Sequence, residues 1–357
     1  MRVINSIFEV IRYWYYSINY PSLRHLGFPA HGLGLELRAK RCKLYWKDHL
    51  KQCLSAQQEW LDSMESGQMK TLWIIGAGRL YDTNLMTFER KFSVLSLLDA
   101  DPLVLPIWKK QQKLLQDQCA LSFQIVEITN SLDHWTFLLN EKLAQLSRCS
   151  ESRQANWNRI IEHLIELPEI SPVNPSSFLS LPHADAVLSL NILSQLPLVW
   201  QDWIEIQLTR TFGKEWVINH ELEWLTAFSF SAKALIERHL SDLAESNAKY
   251  ILILTDVEYC RYYKTIPFTA SKYTPAPCTW DPENGWLATY PYTNGKGPIE
   301  IELIPALYGI DVLNFNNYFE KYEPIKSTQW LWHIAPLGIE DPSHGMLHRV
   351  AACSFRR

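Results

Sequence analysis

Five short apolar segments, each followed by a small or polar residue, are the feature that most restricts how this chain folds. They lie at 72–75, 94–98, 122–126, 186–190 and 250–254. Runs this short and this apolar are typical of strands buried on both faces, which occur in parallel sheets. Stretches with helical periodicity lie between them, for example 106–118 and 231–248. The alternation predicts an α/β fold with a mostly parallel sheet wrapped by helices.

The last third of the chain follows a different pattern. Two further apolar segments, 329–335 and 347–355, are separated by a short stretch that contains Pro and Gly, which favours a C-terminal antiparallel hairpin and a seven-stranded sheet. Residues from about 262 to 325 are rich in Pro, Tyr and Gly. They predict an insertion at one end of the sheet, with 299–303 as an alternating strand.

Residues 1–68 predict a helical N-terminal extension, and 69–357 the sheet domain with its insertion. The first 20 residues carry apolar side chains at helical spacing but only two cations, so this helix is expected to dock on the protein itself; contact with a membrane surface is the lesser alternative. A second helix is expected from about 35 to 63. Its buried stripe is predicted to include Leu37, Leu44, Leu50, Leu54 and Leu61.

The composition excludes several functional classes. Lys plus Arg is 34 and Asp plus Glu is 38, a net charge of −4, which disfavours a nucleic-acid partner. No apolar run reaches the roughly 18–20 residues of a membrane-spanning helix. The seven cysteines are widely spaced and include no Cys-x-x-Cys pair, so reduced thiols and a cytoplasmic location are expected.

Aromatic residues are abundant, with 15 Trp, 16 Tyr and 14 Phe. Most are expected to pack in the core. Several lie in the insertion and suggest a lid over a substrate: Tyr273, Trp280, Trp286, Tyr290 and Tyr292.

The residues that follow the five apolar runs are the candidates for a binding site, because ligands of open parallel sheets lie outside the carboxyl ends of the strands. These positions hold Gly76 and Gly78, Asp99, Glu127, Asn191 and Asp256. Asp99 lies 21 residues after Gly78, at the end of the next predicted strand. A carboxylate at that point can accept the hydroxyl groups of a ribose.

This arrangement resembles the class I S-adenosylmethionine-dependent methyltransferases, a Rossmann-like family. The segment Trp-Ile-Ile-Gly-Ala-Gly at 73–78 is similar to the family's glycine-rich turn, and Leu-Leu-Asp at 97–99 to its acidic second strand end. Residues 127–129 and 185–193 are similar to the segments beside the adenine and the methionine moiety. The likeness extends over roughly 71–355 and implies methyl transfer to a small molecule or a protein.

By that resemblance, the cofactor would be S-adenosylmethionine. The glycine turn would pass under its amino-acid portion, Asp99 would hold the ribose, and Asn191 would lie near the methionine carboxylate or sulfonium. The implied cofactor-binding residues are Gly76, Ala77, Gly78, Asp99, Ala100, Glu127, Ile128 and Asn191.

Two positions depart from the family pattern. Ile74 stands where the family has an acid that anchors the cofactor ammonium, and Leu80 where it has a third glycine; Arg79 and Asp82 are candidates to compensate. These departures motivate one alternative, a non-catalytic scaffold that binds a partner protein. The other alternative is an NAD(P)-dependent oxidoreductase, although the third glycine of its fingerprint would fall at Tyr81.

A general base is needed only if the methyl acceptor loses a proton. The candidates are Asp256, Glu258, His49 and His31. Cys42, His49 and Cys53 share a helical face, but their spacing spans three turns and shows no fourth ligand, so no metal site is expected.

Overall fold

The central element of the computed structural model is an eight-stranded sheet. The structure describes residues 2–115, 119–149, 151–264, 278–281, 283–288, 299–311, 315 and 317–357. The strands are β1 (Met69–Ile75), β2 (Phe92–Asp99), β3 (Ala120–Ile125), β4 (Ala186–Leu190), β5 (Tyr250–Lys264), β8 (Ile299–Pro305), β9 (Glu323–Ala335) and β10 (His344–Arg356). A separate hairpin joins β6 (Cys278–Asp281) to β7 (Gly285–Ala288).

The sheet order is β3-β2-β1-β4-β5-β10-β9, and β8 pairs with the far end of β5. The first five strands are parallel, whereas β10 is antiparallel to both β5 and β9. The predicted Rossmann-like sheet with a C-terminal antiparallel hairpin is therefore confirmed. The predicted strand at 299–303 is also present, as part of β8.

Ten helices flank the sheet in the described part of the chain. They are α1 (Arg2–Asn19), α2 (Pro21–Leu26), α3 (Phe28–Asp62), α4 (Leu85–Phe88), α5 (Leu105–Gln112), α6 (Leu132–Leu146), α7 (Arg153–Ile170), α8 (Ile192–Phe212), α9 (Lys214–Asn219) and α10 (Glu221–Glu245). None of these described helices combines the length and the apolar character that crossing a bilayer requires.

Strand β1 shows why the sheet strands are so apolar. Leu72 and Ile74 point into one core cluster, and Trp73 and Ile75 into the cluster on the opposite face. Side chains alternate along a strand, so a strand covered on both faces needs apolar residues at every position. Much of the aromatic content lies in the core as expected, since six tryptophans are essentially inaccessible to solvent: Trp60, Trp108, Trp135, Trp157, Trp200 and Trp224.

Helix α3 differs from its prediction in two ways. It begins at Phe28 rather than near Leu35, because Gly27 adopts a left-handed conformation that ends α2 and Pro29 fits the first turn of α3. The leucine stripe is wrong at Leu44 and Leu54, which are exposed, whereas Leu61 is buried as predicted. The helix instead turns Trp46, His49, Cys53, Gln57 and Trp60 inward, and the Trp46 indole donates to the Ile334 carbonyl of β9 at 3.0 Å.

The insertion is described only in part. Strand β5 continues to Lys264, past the predicted start of the insertion at 262. Trp280 and Trp286 face each other in the β6–β7 hairpin, where Arg349 lies over the Trp280 ring at 4.8 Å. Tyr273, Tyr290 and Tyr292 lie outside the described residues. The lid and the division into an extension at 1–68 and a domain at 69–357 stay predictions.

Candidate functional site

A cavity of about 500 Å³ lies at the carboxyl ends of the parallel strands. One part of its wall, here the strand-end side, consists of residues that follow β1 to β4: Gly76, Ala77, Gly78, Asp99, Ala100, Asp101, Glu127, Ile128 and Asn191. The opposite part, the hairpin side, consists of Asp256, Tyr259, Trp332, Ile334 and His348. The first turns of α3 also contribute Phe28, His31, Leu35 and Arg38. The fold thus brings all eight cofactor candidates named from the sequence into one cavity.

The turn after β1 requires glycine at its first position. Gly76 has a φ of +72°, and a Cβ there would lie 2.6 Å from the Leu190 carbonyl oxygen of the neighbouring strand. Leu80, which stands where the resembled family has a third glycine, has a φ of +58°. The chain therefore keeps a glycine-like backbone at Leu80 and carries a strain of about 1–2 kcal/mol there.

Asp99 connects the ends of β1 and β2. Its Oδ2 accepts from the Gly78 amide at 2.7 Å, and its Oδ1 accepts from the Asp101 amide at 2.8 Å. Burial raises the pKa of Asp99, while the bonds from the amides of Asp101, Gly78 and Ala100 act in the opposite direction. A carboxylate has about four lone-pair sites, so Asp99 can still accept a hydrogen bond from a ligand hydroxyl.

Asn191 begins α8 in a left-handed conformation, with a φ of +49°. Its Nδ2 donates to Asp82 Oδ2 at 2.8 Å, which fixes the orientation of the amide. The Oδ1 atom is buried and has no hydrogen-bond partner among the residues that the structure describes. Asn191 therefore keeps an unused acceptor close to the Asp82 carboxylate, in a residue that lines the cavity.

Glu127 uses its carboxylate within its own loop. Oε1 accepts from the backbone and the hydroxyl of Thr129 at 2.7 and 2.6 Å, and Oε2 accepts from the Ser131 amide at 3.0 Å. Burial raises its pKa, and these bonds oppose the rise. The carboxylate closes the turn that leads into α6, and the neighbouring Ile128 is a buried part of the wall.

A charged cluster joins the N-terminal helices to the glycine turn. Arg79 lies 2.6 Å from Glu36 of α3, and Glu36 also pairs with Arg12 of α1 at 2.5 Å. Asp101 lies 4.0 Å from Arg79 and caps the short helical turn that follows β2 by accepting from the Leu103 amide. Burial and the neighbouring Asp99 charge raise the pKa of Asp101 to about 7.

Asp256 and His348 meet on the hairpin side. The Asp256 carboxylate is buried, accepts from the Ser194 hydroxyl at 3.1 Å and lies 3.1 Å from His348 Nδ1. The Tyr259 ring lies 4.4 Å from the His348 ring. Sequence reasoning found Asp256 but missed His348, which lies 92 residues away. The sequence feature that could have identified His348 is the predicted C-terminal hairpin, because its pairing with β5 places His348 opposite Tyr259.

Two of the predicted catalytic candidates lie outside the cavity lining. His49 is buried behind the wall and stacks on Trp332 at 4.0 Å, and Glu258 lies 2.5 Å from the Trp286 indole nitrogen and 3.3 Å from Arg349. His31 does line the cavity, with Nε2 3.1 Å from an oxygen of Asp202 at the edge.

His49, Cys53 and Asp82 have potential ligand atoms within 4.8 Å of one another. The His49 Nδ1 atom accepts from the Trp330 indole at 3.0 Å, so the neutral ring carries its proton on Nε2. Nε2 lies 3.5 Å from the Cys53 Sγ atom, with which it forms a hydrogen bond, and 3.4 Å from Asp82 Oδ1. A protonated nitrogen cannot bind a metal, so the hydrogen bonding fits a role in positioning Asp82.

No family model and no curated protein sequence matches this chain. Among solved structures, it is similar to precorrin-6y C5,15-methyltransferase from Geobacter metallireducens GS-15, with 8% identity over 83% of this chain and 86% of that one and a TM-score of 0.31.

It is also similar to an S-adenosylmethionine-dependent methyltransferase from Clostridium acetobutylicum ATCC 824, with 5% identity, 85% and 91% coverage and a TM-score of 0.32. A third similar structure concerns the conversion of a disulfide bond into a thioacetal group during echinomycin biosynthesis, with 10% identity, 84% and 79% coverage and a TM-score of 0.30. The sheet order and the C-terminal antiparallel hairpin define a Rossmann-like α/β fold.

Proposed function

We propose that this chain is an S-adenosylmethionine-dependent methyltransferase that binds its cofactor on the strand-end side of the cavity. The observation that carries the proposal is the negative character of the wall around the glycine turn. Six carboxylate residues line the cavity: Asp82, Asp99, Asp101, Glu127, Asp202 and Asp256. The lining arginines in the described chain, Arg38 and Arg79, are paired with Glu340 at 3.1 Å and Glu36 at 2.6 Å. Such a wall suits a ligand that carries a sulfonium and an ammonium.

The polar groups on the strand-end side match the parts of that cofactor. Asp99 has free lone pairs for the ribose hydroxyls, and Asn191 Oδ1 and the Asp82 carboxylate are acceptors for the ammonium. Asp82 thus replaces the acid missing at Ile74, whose side chain is buried in the core. Arg79, the other candidate considered from the sequence, has the wrong charge to hold an ammonium.

The same features disfavour a pyridine dinucleotide. Its pyrophosphate binds where a helix begins directly after the glycine turn. Here the chain continues without a helix to α4, which is a single turn of four residues. The pyrophosphate would also lie close to Asp82, Asp99 and Asp101, whose charges would repel it.

The bound cofactor supplies a methyl group on a positively charged sulfur. The role of the chain is to align the reacting groups and exclude water. The first turns of α3 cover the cavity, and apolar side chains from α8 line part of it: Ile192, Leu196 and Val199. A volume of about 500 Å³ lies within the usual range for small-molecule sites, which favours a small-molecule acceptor.

Isothermal titration calorimetry with S-adenosylmethionine, S-adenosylhomocysteine and NADH tests the proposal. We expect both adenosyl compounds to bind and NADH not to bind. Asp99→Asn should weaken S-adenosylmethionine about 10- to 100-fold, because it removes a charged acceptor. The control is Asp341→Asn in an exposed turn outside the cavity, which should bind normally. If no compound binds, the proposal fails and the scaffold alternative is supported.

A further inference from the structure

The hairpin side of the cavity contains polar and aromatic side chains that have no role in the proposed cofactor binding. Three strands contribute to it: Asp256 and Tyr259 come from β5, Trp332 from β9 and His348 from β10. Asp256 and His348 are both almost fully buried, with 2% and 7% of their surface exposed. A buried carboxylate beside a buried imidazole at the wall of a cavity is an arrangement that can accept and hold a proton.

The neighbours of His348 determine which of its nitrogens can act. Nδ1 lies 3.1 Å from the Asp256 carboxylate, an ion-pair distance, but it makes no hydrogen bond there among the described residues. Because a carboxylate only accepts, a proton on Nδ1 is favoured over a lone pair that faces it. With the proton on Nδ1, Nε2 keeps a free lone pair; its contact with the Met346 thioether at 3.3 Å becomes a hydrogen bond only when Nε2 is protonated, and Met346 is flexible enough to move aside for a ligand.

The other polar groups at this position are less suited to act as a base. Asp256 is engaged by the Ser194 hydroxyl and faces His348. Burial, followed by the charge of Asp256, raises the pKa of Tyr259 well above its ordinary value, so its phenol stays protonated. From β9, the group packed against His348 is the uncharged Trp332 ring, at 5.4 Å, and His49 of α3 stacks on that same ring.

We propose that His348 is the general base of the methyl transfer, that Asp256 is its positioning residue, and that the acceptor is a hydroxyl group on a flat, apolar small molecule. The acceptor class follows from the base, which only an acceptor with a weakly acidic proton needs, and from the apolar and aromatic wall of Tyr259, Trp332 and Ile334. The proposal rests on the methyltransferase function proposed above.

The acceptor O–H proton passes to His348 Nε2 while an oxygen lone pair forms the new bond to the methyl carbon. The bond from that carbon to sulfur breaks, and its electrons stay on sulfur, which becomes neutral. One positive charge is lost from sulfur and one appears on the imidazolium, where the Asp256 carboxylate stabilises it.

The test uses the full chain with labelled S-adenosylmethionine and two probe acceptors: 4-methylphenol, whose hydroxyl stays protonated near neutral pH, and thiophenol. 4-Nitrophenol serves only as a spectroscopic binding probe. The variants are His348→Gln, Asp256→Asn and the control His344→Gln. His344 lies on the same strand and is also 3.1 Å from an aspartate, Asp341, but this pair lies outside the cavity. We expect His348→Gln to slow methylation of the phenol about 10²- to 10⁴-fold. Thiophenol ionises without help, so its methylation should change little.

Two further readouts separate a chemical role from a structural one. With S-adenosylhomocysteine bound, 4-nitrophenol should show more of its phenolate absorption in wild type than in His348→Gln. In Asp256→Asn, methylation of the phenol should slow while methylation of thiophenol stays near wild type, because the imidazolium loses the carboxylate that stabilises it.

The proposal is overturned if wild type binds S-adenosylmethionine but methylates neither probe, or if His348→Gln methylates the phenol as fast as wild type does. A bound 4-nitrophenol spectrum that does not depend on His348 would also overturn it. Loss of S-adenosylmethionine binding in wild type would count against the proposed function, so the two failures are distinguishable.

Discussion

The two sides of the cavity are built by different means. On the strand-end side, backbone amides hold most of the polar groups: Asp99 binds amides 21 and 2 residues away, and Glu127 binds atoms within its own loop, whereas Asn191 meets Asp82 across 109 residues. On the hairpin side, Asp256 meets His348 across 92 residues. The first side depends on backbone conformation, and the second on side chains that strand pairing brings together.

This difference suggests a division of tasks. A turn held by its own backbone amides is well suited to bind a ligand that does not vary, such as a cofactor, because few side-chain changes disturb the turn. A wall made of side chains from three strands can change its chemistry without altering the turn. We therefore expect variants on the two sides to separate cofactor binding from acceptor chemistry.

The largest effect is expected from Gly76→Ala. The added Cβ would lie 2.6 Å from the Leu190 carbonyl oxygen at a φ of +72°, so the turn must shift. The free energy of unfolding should fall by about 3 kcal/mol, and S-adenosylmethionine affinity more than about 100-fold. Urea denaturation and calorimetry measure the two effects. Gly338→Ala is the matched control, because Gly338 has a φ of +83° but no atom lies within 4 Å of the added Cβ. Its free energy of unfolding should fall by only about 1 kcal/mol.

A smaller and more selective effect is expected from Asn191→Gly. Glycine keeps the positive φ but removes the unused carbonyl acceptor, so S-adenosylmethionine should bind about 10-fold more weakly. 5′-Methylthioadenosine lacks the ammonium, and its affinity should not change. Asn130→Gly, at a φ of +52° and outside the cavity lining, is the control. Equal weakening of both ligands would show that Asn191 supports the turn rather than the ammonium.

The charged cluster beside the turn should make stability depend on pH. In the folded protein the pKa of Asp101 is raised to about 7, so between about pH 4 and 7 the folded state holds a proton that the unfolded state releases. The contribution of Asp101 to stability therefore falls as pH rises through this window. The Asp101→Asn substitution keeps a side-chain oxygen that can cap the helical turn but removes the carboxyl group that titrates.

Relative to wild type, the Asp101→Asn variant should gain about 1–3 kcal/mol of unfolding free energy between pH 5 and pH 7.5. Urea denaturation at the two values measures the gain. If the unfolding free energy of the variant differs from that of wild type by the same amount at both pH values, the raised pKa assigned to Asp101 is contradicted.

The smallest effect is expected from Leu80→Gly. The backbone already adopts a φ of +58°, so relief of strain and the greater freedom of the unfolded chain should nearly cancel, within about 1 kcal/mol. S-Adenosylmethionine affinity should stay within about threefold of wild type. A large gain in affinity would instead show that the Leu80 side chain obstructs the site.

The sequence predicted the fold well, because strands buried on both faces leave a clear signal. All five apolar runs are parallel strands in the structure, and the C-terminal hairpin is present. The leucine stripe of α3 failed because the buried face of that helix is set by what it packs against. Here this is β9, where Trp46 and His49 find a carbonyl and a tryptophan ring.

The sequence by itself determined the glycine turn, the acid that closes it, the five parallel strands and the C-terminal hairpin. These features depend on residues close together in the chain and on the period of the apolar pattern. Only the tertiary structure decided that Arg79 forms an ion pair with Glu36. It also decided that Asn191 has an unused acceptor near Asp82 and that His348 lies beside Asp256. Each of these depends on how distant elements pack and pair, and the spacing of residues in the chain carries no record of that.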